Sequence, residues 1–224
     1  MEDEVRIINA KKSILEKNDE YARALRDEMK KKKTLLVNIM SSPGSGKTTL
    51  LVQTIRAFKD EYKIGVMEAD IDSDVDAKTI IKAGADAVQL HTGGECHLTA
   101  SMAEDGIEGF GDKKYDIIFL ENIGNLVCPA EFDTGANVNI ELLSVPEGDD
   151  KPLKYPLMFK VADIVLITKK DVAEYFDFDF KKAEENVHKR HDIPVIPVSS
   201  VTGEGLDKWL DFLRKKVSEV KEAK

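Results

Sequence analysis

Cys96 and His97 end the run Gly93-Gly94-Glu95-Cys96-His97 and place a thiol beside an imidazole. Donors of this kind suit Zn²⁺, Ni²⁺ or Cu(I). The other cysteine, Cys128, follows Glu121-Asn122-Ile123-Gly124-Asn125-Leu126-Val127. Three such donors fall short of a closed tetrahedral site, so water or a second chain is expected to complete the set. A Cys96–Cys128 disulfide and a purely packed cysteine are the competing readings. Adjacent Cys-His beside two glycines favours metal. His91 reads better as a packed or solvated histidine than as an outer ligand, and His188 and His191 as a charged surface face.

A second chemistry lies upstream. Ser41-Ser42-Pro43-Gly44-Ser45-Gly46-Lys47-Thr48 matches the phosphate-loop template G-x-x-x-x-G-K-[ST] except at its first glycine, where Ser41 stands. Gly44 and Gly46 permit the backbone N–H groups to turn toward phosphate oxygens. The positive end of the helix beginning at Lys47 faces the same anion. Lys47 is expected between the β- and γ-phosphates, and Thr48 on Mg²⁺. Pro43, Ser45 and Thr49 complete the expected phosphate contacts. The two thiols thus flank a nucleotide machine, which suggests metal handling driven by a nucleotide.

Magnesium needs carboxylates at strand ends. Asp70 is the first choice after one strand and Asp72 the second; Asp72 or Asp76 could also position the attacking water. The competing reading has these aspartates capping helices or solvating loops. Glu121 closes another strand, and Gly124, three residues on, would report the γ-phosphate through its N–H. Lys47, Thr48 and Asp72 are therefore the expected catalytic set, and Thr48, Asp70, Asp72 and Glu121 the magnesium set. No glutamine or arginine finger stands out, so slow turnover is expected.

Thr168-Lys169-Lys170-Asp171 follows an apolar strand and is similar to the N-K-x-D motif that reads guanine. The Asp171 carboxylate can accept both N1–H and the exocyclic amine of guanine; adenine leaves it unpaired. A charged hydrogen bond of this kind is worth about 1.5–3 kcal/mol. The Lys169 stem would cover the purine face. Thr168 replaces the usual asparagine, so a contact to the base or to the phosphate loop must be made differently. Ser199 and Ser200, in Ser199-Ser200-Val201-Thr202-Gly203, form the second base loop. Together these favour GTP over ATP.

Such loops need rigid elements behind them. Apolar runs at Thr34–Met40, Lys63–Glu68, Ala87–Leu90, Tyr115–Leu120, Val138–Val145, Ile164–Thr168 and Pro194–Val198 read as strands, several apolar almost throughout. Helical patterns cover Lys47–Lys59, Asp76–Ala83, Leu98–Gly109, Phe178–Arg190 and Leu206–Val220. Their alternation predicts an α/β fold: a doubly wound, mostly parallel sheet with ligands at the carboxyl ends of its strands. Ile7, Ile8, Ala10, Ile14, Leu15, Ala22, Leu25 and Met29 predict an amphipathic helix ahead of it, ending in a solvated Lys30–Lys33 run. The division is 1–33, N-terminal helix, and 34–224, GTPase domain. Pro146–Pro156 reads as a surface loop, and Tyr175-Phe176-Asp177-Phe178 as packing.

Bulk properties narrow the class. The 224 residues suit one domain, and 42 acids against 33 bases leave a charge of −9, which argues against nucleic-acid binding. No apolar run approaches a membrane span, no secretory signal follows the acidic start, and two cysteines make no disulfide framework. A cytoplasmic protein is expected.

Gly93-Gly94-Glu95-Cys96-His97-Leu98 with Glu121-Asn122-Ile123-Gly124-Asn125-Leu126-Val127-Cys128-Pro129 resembles the HypB GTPases of hydrogenase nickel insertion, from about Thr34 to the C-terminus. The resemblance implies a G-protein-type P-loop NTPase fold and slow GTP hydrolysis. It also implies transfer of nickel to the [NiFe]-hydrogenase precursor alongside other accessory proteins. Nucleotide-promoted homodimerisation around Cys96, His97 and Cys128, with Ni²⁺ or Zn²⁺ bound, is implied too. Many relatives carry an N-terminal cysteine cluster or a histidine-rich stretch; here no cysteine precedes Cys96 and no histidine precedes His91. Tight autonomous nickel storage is accordingly not expected. The rivals are a nickel GTPase serving urease (whose Cys-Pro-His string is absent), a non-catalytic metal-binding scaffold, and a small-molecule kinase.

Overall fold

The apolar runs form one sheet of seven parallel strands: β1 (Leu35–Ser41), β2 (Ile64–Glu68), β3 (Asp86–Gln89), β4 (Ile117–Glu121), β5 (Val138–Ser144), β6 (Ile164–Thr168) and β7 (Val195–Pro197). The computed structural model describes residues 10–69 and 75–223. Strand order is β3-β2-β4-β1-β5-β6-β7, so the central β1 lies between β4 and β5. Its Ile39 is level with Glu121, and Glu68 is level with Glu121 from the other side. Every residue of β1, β2, β4 and β6 is buried, as expected of strands covered on both faces.

Nine helices alternate with the strands among the described residues: α1 (Ala10–Lys32), α2 (Lys47–Phe58), α3 (Val75–Ala83), α4 (Ala100–Glu108), α5 (Cys128–Glu131), α6 (Lys151–Lys154), α7 (Pro156–Val161), α8 (Phe180–His188) and α9 (Leu206–Glu222). One face of the sheet packs on α2, α3 and α9, with Phe58, Ile80, Trp209 and Leu213 in its core. Trp209 also donates its indole N–H to Thr54 Oγ1 at 2.9 Å, which satisfies the polar atom buried with the ring. On the opposite face, Leu25 and Met29 of α1 meet Leu98, Ala103 and Leu120, while Phe159 and Val187 cover β5 and β6. Ile7 and Ile8 lie outside the described residues. No described helix is long and apolar enough to cross a membrane.

Several boundaries shift for local reasons. The helix expected from Leu98 starts at Ala100, because the Thr99 side chain caps the Met102 N–H. That expected from Phe178 starts at Phe180, because Asp179 caps Lys181 and Lys182. It ends at His188, with His188 Nε2 hydrogen-bonded to the Ile193 carbonyl and His191 Nδ1 to that of Ala162. These two rings therefore hold backbone as well as meeting solvent. Pro146–Pro156 is not a plain loop: Val145–Glu147 forms a 3₁₀ turn, α6 follows, and Pro152 and Asp149 are buried. Asp149 pairs with Lys182 at 2.9 Å and accepts the Asp179 N–H, and together these partners permit its burial. The aromatic run divides: Phe178 stacks edge-on with Phe180, but Tyr175 is 74% exposed.

Candidate functional site

The phosphate loop joins β1 to α2, below the carboxyl edge of the sheet. Gly44 and Gly46 have φ of +73° and +92°, values that an L side chain resists. Ser41 is tolerated in place of glycine because it stays in the strand, fully buried, with no positive φ. Its hydroxyl donates to the Ser42 carbonyl and accepts Lys47 Nζ at 3.2 Å. Pro43, Gly44, Gly46, Lys47, Thr48 and Thr49 line a 590 Å³ cavity with Glu68, Asp76, Glu121 and Gly124. Ser45 turns aside: its hydroxyl reaches the Glu147 carboxylate, which also accepts Ser144 N–H and Oγ. Glu147 thereby ties the loop to the end of β5.

Glu121 accepts the Thr48 hydroxyl at 3.0 Å. Beside it stands Glu68, an acid that the sequence reading passed over as a strand terminus. Oε1 of Glu68 and Oε2 of Glu121 are both buried without a partner. Burial, then the neighbouring Glu121, pushes the Glu68 carboxyl up to about 9. Burial raises Glu121 too, against the pull of Lys47 and the Thr48 hydroxyl. Crowded, unpartnered carboxylate oxygens beside a threonine hydroxyl are a donor set that fits a hard divalent cation such as Mg²⁺. Asp70 and Asp72 lie outside the described residues. The rule that singled out Glu121, an acid closing an apolar strand, would have found Glu68.

A further acid lies beneath the loop. Glu141 of β5 is buried, with Oε2 unpartnered. Burial, with Glu147 nearby, lifts its carboxyl well above the ordinary range, while Lys47 opposes the shift. Nothing in the residue pattern marks it, because β5 otherwise reads as a core strand.

The base loops meet the phosphate loop through the substituted residue. Thr168 Oγ1 donates to the Ser45 carbonyl at 2.8 Å, so the contact to the phosphate loop persists without asparagine. Lys169 takes a left-handed conformation, φ +60°. Ser199 Oγ donates to Asp171 Oδ1 at 2.6 Å and accepts the Val201 and Thr202 N–H groups. Lys170 pairs with Glu204 across the same loops, and Ser200 follows half-buried. Thr168 thus joins its loop to Ser45, and Ser199 joins Asp171 to the loop after β7.

Cys96, His97 and Cys128 converge from two loops, their donor atoms all within 4.8 Å of one another. Both cysteines are free thiols. Cys96 Sγ lies 3.7 Å from His97 Nδ1. The neighbouring Cys128 thiol, then burial, raises Cys96, whereas burial lowers His97. Thiols must lose their protons to ligate a cation, so metal binding here would release protons. His97 stacks on Phe132, ring centroids 3.8 Å apart, a contact that spacing alone could not reveal. Positive φ at Gly93 and Gly94 turns the chain into Cys96, and buried Thr92 bonds the Glu95 carbonyl. His91 is not in the cluster.

The two sites are neighbours in the chain and in space. A Cβ on Gly124 would stand 2.9 Å from Pro43 Cα, so only glycine passes the phosphate loop this closely. The next side chain, Asn125, caps Val127 N–H and donates to the Cys96 carbonyl.

Fold and phosphate loop together define a P-loop NTPase of the G-protein-like α/β class. The chain belongs to the CobW/HypB/UreG family, whose nucleotide-binding domain matches residues 35–196, and within it aligns with HypB hydrogenase maturation factors. It is 41% identical over 209 residues to hydrogenase maturation factor HypB of Escherichia coli K12, covering 93% of this chain and 72% of that one. With the hydrogenase/urease maturation factor HypB of Helicobacter hepaticus it shares 43% over 208 residues, 91% of this chain and 85% of the other. A crystal structure of Helicobacter pylori HypB in complex with nickel superposes with a TM-score of 0.86 at 42% identity, covering 92% of this chain and 98% of that one.

Proposed function

We propose that the protein is a GTP-hydrolysing metallochaperone of the cytoplasm that carries Ni²⁺, or Zn²⁺ in the same place, and assists nickel insertion into a [NiFe]-hydrogenase precursor with other accessory proteins. The carrying observation is the continuous path from Pro43 through Gly124 and Asn125 to Cys96. In this reading residues 34–224 form the GTPase domain, with 1–33 as a helical addition.

Lys47 neutralises charge between the β- and γ-phosphates while the α2 N-terminus and loop N–H groups hold the polyphosphate. Bound Mg²⁺ would supply charge stabilisation to the phosphates, held by Thr48, Glu121 and Glu68, with Asp70 and Asp72 as further proposed ligands. Asp171 accepts guanine N1–H and the amine, oriented by Ser199. Asp72 is proposed to position water, and the lack of a stronger catalytic group predicts slow hydrolysis. Gly124 N–H senses the γ-phosphate; its displacement after hydrolysis moves Asn125, Cys96 and Cys128 together. Three donors leave a coordination position for a second chain, which supports a nucleotide-dependent homodimer.

Phosphate release by the full chain and by Lys47→Ala tests the enzyme assignment. A loss of roughly 10²-fold with nickel binding retained is expected; unchanged hydrolysis would overturn it and favour a non-catalytic metal scaffold. A second reading, service to another nickel enzyme such as urease, is supported by the Helicobacter hepaticus relative, a hydrogenase/urease maturation factor by name.

A further inference from the structure

One buried side chain on the N-terminal helix reaches both arms of the metal cluster, and we infer that Asn18 is a positioning residue for Cys96, His97 and Cys128. The inference rests on the metal-site reading above. On α1 the buried stripe is Asn18, Ala22, Leu25 and Met29, and Asn18 is its single polar member. Its carboxamide is divided between two distant segments. Oδ1 accepts the Ala100 N–H at 3.0 Å, and Nδ2 donates to the Asp133 carbonyl at 2.8 Å.

Each partner sits directly behind a metal donor. Ala100 opens α4 immediately after the Cys96–Thr99 segment, and its N–H is one of the amides that a helix start leaves without an internal acceptor. Asp133 follows Phe132, the ring on which His97 stacks, and Phe132 directly follows the α5 turn that begins at Cys128. Asn18 therefore bridges the Cys96–His97 arm to the Cys128–Phe132 arm.

Neighbouring contacts hold the bridge in register. Arg26 grips both Asp133 carboxylate oxygens at 2.6 and 2.7 Å and the Ala136 carbonyl at 2.8 Å. Gly135, at φ +79°, brings the return strand so near α1 that a Cβ would stand 3.0 Å from the Ala22 carbonyl. Hydrophobic packing alone could seat α1, and it would not require a buried amide whose two ends are both matched. Such matching fixes the separation of the two arms, so less ordering remains to be done when the cation binds. No residue of α1 lines the phosphate cavity, and the bridge should leave nucleotide affinity alone.

Full-length wild type and Asn18→Leu, which keeps the branched shape and removes both hydrogen bonds, are titrated with Ni²⁺ against a chelator while thiolate-to-nickel absorption is followed. Supporting partner variants of this kind typically cost about 10–100-fold in metal affinity. Asn18→Leu is expected to fall in that range with an altered spectrum, and to bind GDP within about twofold of wild type. Val217→Ala in α9, matched for loss of thermal stability, is expected to keep wild-type nickel affinity and spectrum. Wild-type nickel binding by Asn18→Leu, or an equal loss in Val217→Ala, would overturn the inference. Cys96→Ala separates the two levels: if it loses nickel while Asn18→Leu does not, only the bridge fails. If Cys96→Ala also binds normally, the metal site itself has been misassigned, and the bridge falls with it.

Discussion

Asn125 Nδ2 donates to the Cys96 carbonyl at 3.3 Å, across 29 residues of chain, and joins the segment behind the phosphate loop to the segment carrying two of the three metal donors. Immediately before it, Gly124 is pressed against Pro43 with no room for a side chain. Asn125 also caps the turn that leads into Cys128, so a displacement carried from Gly124 to Asn125 would reach both arms of the cluster. Asn125→Ala should therefore retain nickel and nucleotide while the ratio of nickel affinities in the triphosphate and GDP forms falls to about one. Paired titrations of the two loaded forms measure it; a ratio unchanged from wild type excludes this path.

Ser199 Oγ donates to Asp171 Oδ1 at 2.6 Å, which leaves the other carboxylate oxygen as the acceptor proposed for guanine. Asp171→Asn should weaken GTP by roughly 10–100-fold, the equivalent of losing a charged hydrogen bond, and improve binding of xanthosine triphosphate. Competition between the two nucleotides for the same site reads the exchange. Unaltered preference would remove Asp171 from base recognition.

The Glu68–Glu121 pair predicts a magnesium effect apart from nucleotide contact. Either Glu68→Gln or Glu121→Gln should raise the Mg²⁺ concentration needed for half-maximal tightening of GDP by about tenfold or more. Binding without magnesium should stay near wild type. Magnesium titrations with a fluorescent GDP would contradict the assignment if both midpoints remained in place.

Much of this arrangement was legible in the residues. Parallel strands, the phosphate loop and the Cys96–His97–Cys128 convergence follow from local pattern and type. Glu68 was passed over because its role depends on lying level with Glu121, a register that only the β2–β4 pairing creates. Phe132 and Asn18 act through contacts made across the fold, and Glu141 sits in a strand whose other residues describe only a core. The Pro146–Pro156 stretch reads as loop because its polarity outweighs two short turns, and burial of Asp149 rests on Asp179 and Lys182, both distant in the chain. Asp70 and Asp72 fall outside the described residues, whereas Asp76, the other candidate for positioning water, lines the phosphate cavity.

Glu141 makes a prediction for pH. Its folded carboxyl titrates well above its unfolded value, through burial and the nearby Glu147, with Lys47 opposing. Between those two values the folded state binds a proton that the unfolded state lacks, so stability falls as pH rises through this window. Glu141→Gln removes the linkage, at roughly 1.4 kcal/mol for each pH unit in which it operates fully. The variant should match wild type at about pH 4, near the unfolded carboxylate value, and become progressively more stable than wild type toward neutrality. Thermal melts across that range check the sign; a difference independent of pH would show that Glu141 does not stay protonated on folding.

Whether the metal donors answer to the terminal phosphate is read directly by nickel titration of one preparation loaded with GDP or with GTPγS. Coupling between sites of this kind is expected to separate the two dissociation constants by about fivefold or more, with nickel shifting the nucleotide preference by the same factor. Equal nickel dissociation constants in both forms would contradict it.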